Sequence, residues 1–413
     1  MKYIYLYNEY SEKDICDKFG KNGTFLSESF DLGLNIPNGF VITTDACNEY
    51  YENNQKINEE TKEQINDYIL KLEQLTGKRF GDKNNPLLLT LKCSSKNEMP
   101  GIMDTISNVG LTEVIVDNLS KDTNNFIWVW ECYFKFIKDY AKTIYNVDLE
   151  TYDYVKNILT NKKTTLTIEE LRVLSDKIKR EYTLKTKIEF PDDSEEQLYS
   201  IINACYKSWN NERANIYRRD MDMPFNEGIA VCVQAMVNGN KNEKSGIGTI
   251  FTRDPITGAT KDEFTDEKYF VGKFSKQSIE NNYDVNMDYI NKDSILAVEF
   301  PDAYKELKAI SKILEKIYQD MFEMDFVIED SKLFITNVCK GKRTAKAALK
   351  IKCDIFDEYI LNKKDESLED KEIKVSFDLN FGGFKQREIG PLYKAEKKEN
   401  PALKKLRKKD YKK

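Results

Sequence analysis

Histidine is absent from all 413 residues. No imidazole in this stretch can serve as general base, metal ligand or phosphoryl carrier, and a Ser-His-Asp triad is excluded. Its chemistry has to run on carboxylates, lysine, arginine, cysteine, hydroxyls and backbone dipoles. Paired cysteines are missing as well. The eight cysteines (Cys16, Cys47, Cys93, Cys132, Cys205, Cys232, Cys339, Cys353) are scattered, and none forms a CxxC pair. That spacing argues against a zinc site or a disulfide framework and makes a reducing compartment the default. Long apolar runs are lacking: none approaches the roughly 18 residues of a membrane helix. The opening Met1–Asp14 has no basic stretch followed by an apolar one, so no secretory leader is expected there. A cytoplasmic chain without a membrane partner is the expectation. The net charge of −6 is small for this length and gives no bias toward nucleic acid.

What is present is an ordinary soluble balance, 40% hydrophobic and 32% charged, long enough for several subdomains around a substantial core. Residues 3–7 and 39–44 read as strands separated by a glycine-containing turn and a helix. Ile65, Tyr68, Ile69, Leu72 and Leu75 step as an amphipathic helix. A buried strand is expected at Leu87–Leu91, followed by the small and turn-forming residues of Cys93–Gly101. Residues 112–197 read as helical, and 194–218 as one further helix. From 229 onward the texture is of strands. The stripe Leu307, Ile310, Leu314, Ile317, Met321 marks a helix before a hairpin, Asp325–Glu329 and Leu333–Val338, turning at Asp330-Ser331. Within that hairpin Phe326 and Ile328 share one face, and Asp325 and Val327 the other. Residues 394–413 carry ten basic and three acidic side chains. They read as a solvated terminus or as a docking arm for an acidic partner.

Four stretches together resemble the N-terminal nucleotide-binding part of pyruvate phosphate dikinase. They are Leu32–Cys47; Met99–Thr105 with Asn108–Leu111 behind it; Lys207–Asn211 with Val233–Val237 and Phe251–Pro255; and Gly341–Ala345. The resemblance covers about residues 1–355. It implies an α+β, ATP-grasp-like nucleotide-binding fold with a helical subdomain. The implied division is 1–111 plus 198–241, then the helical 112–197, then 242–345 with a metal-binding hairpin, then a helix and basic tail over 346–413.

It implies a site as well. Ser94, Ser95, Lys96, Gly101, Met103 and Thr105 of the loop, with Gln234, Met236 and Val237 of the strand and linker, would meet ATP. Lys92 and Asn337 would stand at catalytic positions, and Glu323 and Asp325 would hold Mg²⁺. On the residues alone, the loop after a buried strand can present backbone N–H groups and hydroxyls to a polyphosphate, or simply connect. Gln234, Met236, Val237 and Met103 can be core. Glu323 and Asp325, at i and i+2 in extended chain, can hold a hard cation or sit as solvated acids.

The chain departs from the resembled pattern around the phosphates. Asn22 stands where the family has lysine, with Lys21 adjacent. Lys92 stands for arginine, keeping the charge without the planar fork. Asp325 stands for glutamate. Asn337 and Cys339 stand for a glutamine and an arginine that serve the phosphates, and a thiol cannot stabilise transferred phosphoryl charge. No counterpart of the family's ribose-holding segment is found between Asp262 and Ser275, and no phosphohistidine segment follows. The expectation is therefore an ATP- and Mg-binding module with impaired phosphoryl transfer. Two alternatives stand beside it: an active phosphotransferase serving a separate acceptor, such as a phosphohistidine-domain chain, and a regulatory or structural partner of a full-length dikinase.

Overall fold

The computed structural model describes residues 1–10, 15–97, 105–145, 167–224, 227–260, 269–276 and 288–361. Gly101 and Met103, with the rest of 98–104, lie outside the described residues. So do the first half of the segment between Asp262 and Ser275 and the basic tail.

The chain is a mixed α+β protein built on two antiparallel sheets. The first contains β1 (Ile4–Leu6), β2 (Gly39–Ile42), β3 (Leu89–Ser94), β4 (Ile106–Val109) and β5 (Ala230–Ala235), in the order β1-β2-β5-β3-β4. The second contains β6 (Gly246–Phe251), β7 (Phe270–Lys276), β8 (Asp288–Ile290), β9 (Phe322–Glu329) and β10 (Lys332–Lys340), in the order β10-β9-β6-β7-β8. No described helix is long and apolar enough to cross a membrane.

Strand alternation decides which side of each sheet is dry. In the first sheet Phe40, Ile42, Leu89, Leu91, Val231 and Val233 enter one large core. Packed against them in that core are α3 (Glu59–Thr76), the aromatic helix α5 (Phe126–Tyr145) and α7 (Ser194–Trp209). The opposite face carries Val41 and Cys232, which pack with Phe19 and Leu26 of α1 (Ile15–Asp31). Farther along, that face turns polar with Thr90, Lys92 and Gln234. In the second sheet Phe322, Met324, Phe326 and Ile328 share a core with Leu307, Ile310 and Leu314 of the helix Pro301–Tyr318. Glu323, Asp325, Val327 and Glu329 alternate to the other side.

Local signals account for the boundaries. Asn58 caps α3 by accepting from Thr61 N at 2.7 Å, and Gly77 closes it in a left-handed conformation. The stretch expected as one helix over 194–218 is two, because Asn211 leaves the helix and caps Glu212–Asp220 through Ala214 N. The third strand starts at Leu89 and runs to Ser94, later than the apolar run suggested. The hairpin turns at Asp330 and Ser331, whose φ values of 50° and 68° suit a two-residue turn of the type that matches strand twist.

Two buried contacts hold this frame. Inside α1, Gly20 adopts φ 64°, ψ 179°, and a Cβ there would lie 2.4 Å from the carbonyl oxygen of Ser94. The close approach lets Lys21 N donate to Ser95 O, Asn22 Nδ2 to Cys93 O and Gly23 N to Ser94 Oγ. Asn22 is thereby a tie between α1 and β3. Arg253, fully buried, grips Glu315 through Nε and Nη2 at 2.9 Å each and also reaches Glu358 at 2.9 Å.

Gly20→Ala combines a forbidden backbone region with a clash against main chain. It should cost at least about 2 kcal/mol in urea unfolding. Glu315→Ala removes the main partner of a buried guanidinium and should cost about 3 kcal/mol by the same measurement.

Candidate functional site

Where the polar faces of the two sheets meet, they enclose a cleft of about 510 Å³. One wall comes from Thr90 and Lys92 of β3 and from Gln234 with the following Ala235, Met236 and Val237. The facing wall holds Ile247, Asp325, Val327 and Thr336 of the second sheet. Thr105, Ser107 and Asn108 close one side, and Cys132, Lys135, Asp139 and Lys142 of α5 overhang another.

The chemical centre is a link between the walls. β9 and β10 slip register between Ile335 and Asn337, so Thr336 is an extra residue in its ladder. Its carbonyl accepts from Lys92 Nζ at 2.9 Å, across the cleft. Beside it, Asp325 is fixed by donors to both oxygens: Thr249 Oγ1 at 2.5 Å and Asn337 Nδ2 at 3.2 Å. Burial pulls the Lys92 ammonium below the usual lysine range, and the Asp325 carboxylate opposes that shift. The amine therefore sits in a low-dielectric place, with one carbonyl and one nearby carboxylate for company, where an incoming anion gains more than it would in water.

Of the residues expected from sequence, Lys92, Thr105, Gln234, Met236, Val237 and Asp325 line this one cleft, and Asn337 braces Asp325. Ser94, Ser95 and Lys96 do not line it. Ser94 Oγ accepts from Gly23 N, Ser95 Oγ donates to the Asn97 carbonyl, and Lys96 pairs with Asp17 at 2.7 Å. Glu323 lies two residues before Asp325 on the same strand face, opposite Cys339, and is not part of the cleft lining. The pair stands inside β9.

Two half-buried carboxylates on one strand face are an all-oxygen donor set. Each Asp325 oxygen accepts one bond and retains a lone pair. Among the described residues no cluster of three or more acidic, cysteine or histidine groups gathers. One or two carboxylates suit Mg²⁺, which keeps several waters and completes its shell with phosphate oxygens.

Sequence reasoning missed Thr90, Asn108 and the α5 side chains. Lys135 and Asp139 pair at 2.8 Å in an i, i+4 arrangement that reads as an ordinary solvated helix face. A larger hollow, about 960 Å³, lies elsewhere among Lys56, Lys62, Tyr199, Asn203 and Lys207. Its polar groups are largely spent, with Asn203 donating to Tyr199 O and Ser208 to Cys205 O.

The fold and cleft thus define a two-sheet α+β protein with a cation and a braced carboxylate facing each other across a polar groove. The family model for the pyruvate phosphate dikinase AMP/ATP-binding domain matches residues 57–274, and the chain belongs to that family. It is 36% identical over 370 residues to pyruvate, phosphate dikinase of Clostridium symbiosum, covering 88% of this chain and 41% of that protein. The likeness to the Rhizobium meliloti protein of the same name is 35% over 360 residues, covering 84% and 40%. To the chloroplastic protein of Flaveria pringlei it is 30% over 359 residues, covering 85% and 36%. The chain spans about two fifths of the length of these relatives.

Cys132 faces the cleft, yet burial pushes its thiol up to about 12. At pH 8 it stays protonated, so iodoacetamide should leave it unlabelled in the folded protein and modify it after denaturation, as read by peptide mass.

Proposed function

We propose that this chain binds ATP with Mg²⁺ in the cleft between the two sheets and supports phosphoryl transfer only weakly. The observation that carries this reading is the convergence of Lys92, Asp325, Gln234, Met236 and Val237 on one groove in a chain of the AMP/ATP-binding family. The architecture is read as ATP-grasp-like. Residues 1–111 plus 198–241 and residues 242–345 form the two nucleotide-holding subdomains, 112–197 the helical one, and 346–413 a helix and basic tail.

In this reading the base lies along Gln234, Met236 and Val237, and the phosphates reach Lys92. Lys92 exchanges the Thr336 carbonyl for a phosphate oxygen, trading a neutral acceptor for a charged one. Glu323 and Asp325 hold the metal, with Thr249 and Asn337 keeping the Asp325 carboxylate oriented. Mg²⁺, when bound, neutralises charge on the phosphate oxygens.

Weak transfer follows from β10. Asn337 spends its amide on Asp325, and Cys339 brings no cation to the phosphates. With no histidine in these 413 residues, a phosphohistidine acceptor would lie outside them, on a separate chain or domain.

A second reading, competent transfer to such an acceptor, is favoured by one observation: Lys142 overhangs the cleft from α5, beside the paired Lys135 and Asp139, and can add positive charge there. The two readings differ in rate and agree on binding.

Calorimetric titration with Mg-ATP should give saturable binding. Lys92→Met should weaken it by about tenfold or more, since it removes a charge-assisted bond. Asp325→Asn should weaken metal-dependent binding while sparing the fold, as read by circular dichroism. No binding at millimolar nucleotide would sink the proposal and turn attention to a role as a protein partner of a full-length dikinase. Rapid γ-phosphate transfer to an added histidine domain would replace weak transfer with the competent reading.

A further inference from the structure

Asn108 is fully buried, and neither polar atom of its side chain has a hydrogen-bond partner among the described residues. Gln234 is 2% exposed, and its Nε2 is likewise without a partner. Native proteins pair such groups almost without exception, so an unpaired buried carboxamide calls for a reason. Both residues line the cleft.

They stand at one level of the first sheet. Thr90 is directly opposite Gln234 in the β3–β5 ladder. On its other side the β3–β4 ladder slips: Leu89 pairs with Val109 and Leu91 with Ile106, so Ser107 and Asn108 together oppose Thr90. The result is a polar row across β4, β3 and β5. Thr90 Oγ1 donates to Met236 Sδ at 3.0 Å, while the Asn108 carboxamide and Gln234 Nε2 have no partner among the described residues. The slip also puts Asn108 at φ 62°, a left-handed conformation that asparagine tolerates better than most residues. Lys92 lies two residues farther along β3 on the same face, roughly 7 Å away. The row is thus offset from the phosphate end of the groove.

A carboxamide offers an acceptor beside a donor. The N6/N7 edge of adenine offers the complement, an amino donor beside a ring acceptor, and asparagine meets both at once. A 6-oxo purine shows two acceptors there, and whichever way the amide is turned its oxygen faces one of them. We infer that Asn108 reads the edge of the bound base, with Gln234 Nε2 facing the same groove from β5 on the far side of β3, and selects a 6-amino purine over a 6-oxo purine. This rests on the nucleotide reading above and adds a specificity-determining residue to it.

The test is calorimetric titration of the full chain and two variants with Mg-ATP and Mg-ITP, with thermal unfolding of each free protein alongside. Asn108→Gly accepts the left-handed backbone and deletes the amide. Asn108→Asp keeps the shape and removes the donor. The unmodified chain should favour ATP over ITP by roughly tenfold to a hundredfold. Asn108→Gly should bring that ratio close to one, and Asn108→Asp should lose ATP affinity by a similar factor. An unchanged ATP/ITP ratio in Asn108→Gly overturns the inference and leaves the nucleotide site standing. A lower unfolding temperature with an unchanged ratio also overturns it, assigning Asn108 to packing or a buried water. Failure of the unmodified chain to bind either nucleotide overturns the functional reading itself, and the inference with it.

Discussion

A lysine in a cleft that water only partly reaches needs oxygen around it, and the arrangement of the two sheets depends on how Lys92 meets that need. Its ammonium spans the groove to the Thr336 carbonyl and feels the Asp325 carboxylate. That carbonyl points across the groove because one extra residue in β10 takes Thr336 out of the regular ladder. A single bulge therefore supplies the acceptor that joins the walls. The same irregularity brings Asn337 opposite Asp325, where it braces the carboxylate.

Other ties place the second sheet against the first. Ile335 N donates to Asn35 O at 2.9 Å, and Asn238 N and Lys241 Nζ both bond Glu329. All cross the same seam, so the cleft is bounded at its edge by hydrogen bonds and at its centre by an exchangeable contact. Helix α1 fills the rest of the seam with Phe19 and Leu26, and its Gly20 approach to Ser94 sets how closely it lies on β3. A ligand that replaces the Thr336 carbonyl at Lys92 would exchange one acceptor for another without disturbing those outer ties.

Much of the cleft's lining was legible because its residues sit in runs whose order matches a known pattern. Lys92 in β3, Gln234 to Val237 at the end of β5, and Asp325 in β9 were all marked by their neighbours in sequence. The serines after β3 looked equally suited to phosphate, but the Gly20 contact draws Ser94 into the α1 packing and away from the groove. Lys96 was available in sequence and is drawn to Asp17 in space. Asn108 stood within one of the matching runs, but nothing in sequence marked its side chain for the site, and only burial without partners distinguishes it. The α5 side chains were hidden for a different reason: an i, i+4 Lys-Asp pair looks the same on any exposed helix.

By itself, the sequence determined the alternation that makes one face of the β9–β10 hairpin dry, several of the helices, and the exclusion of imidazole chemistry within these residues. These depend on local periodicity and composition, which a linear chain displays directly. Only the tertiary structure decided which polar residues face one another. The register slips in β3–β4 and β9–β10, the close approach at Gly20 and the overhang of α5 join positions tens to hundreds of residues apart. Side-chain types alone cannot say which of many lysines and carboxamides end in the groove. Long-range packing settles that, because it alone determines which of them lose water and which stay solvated.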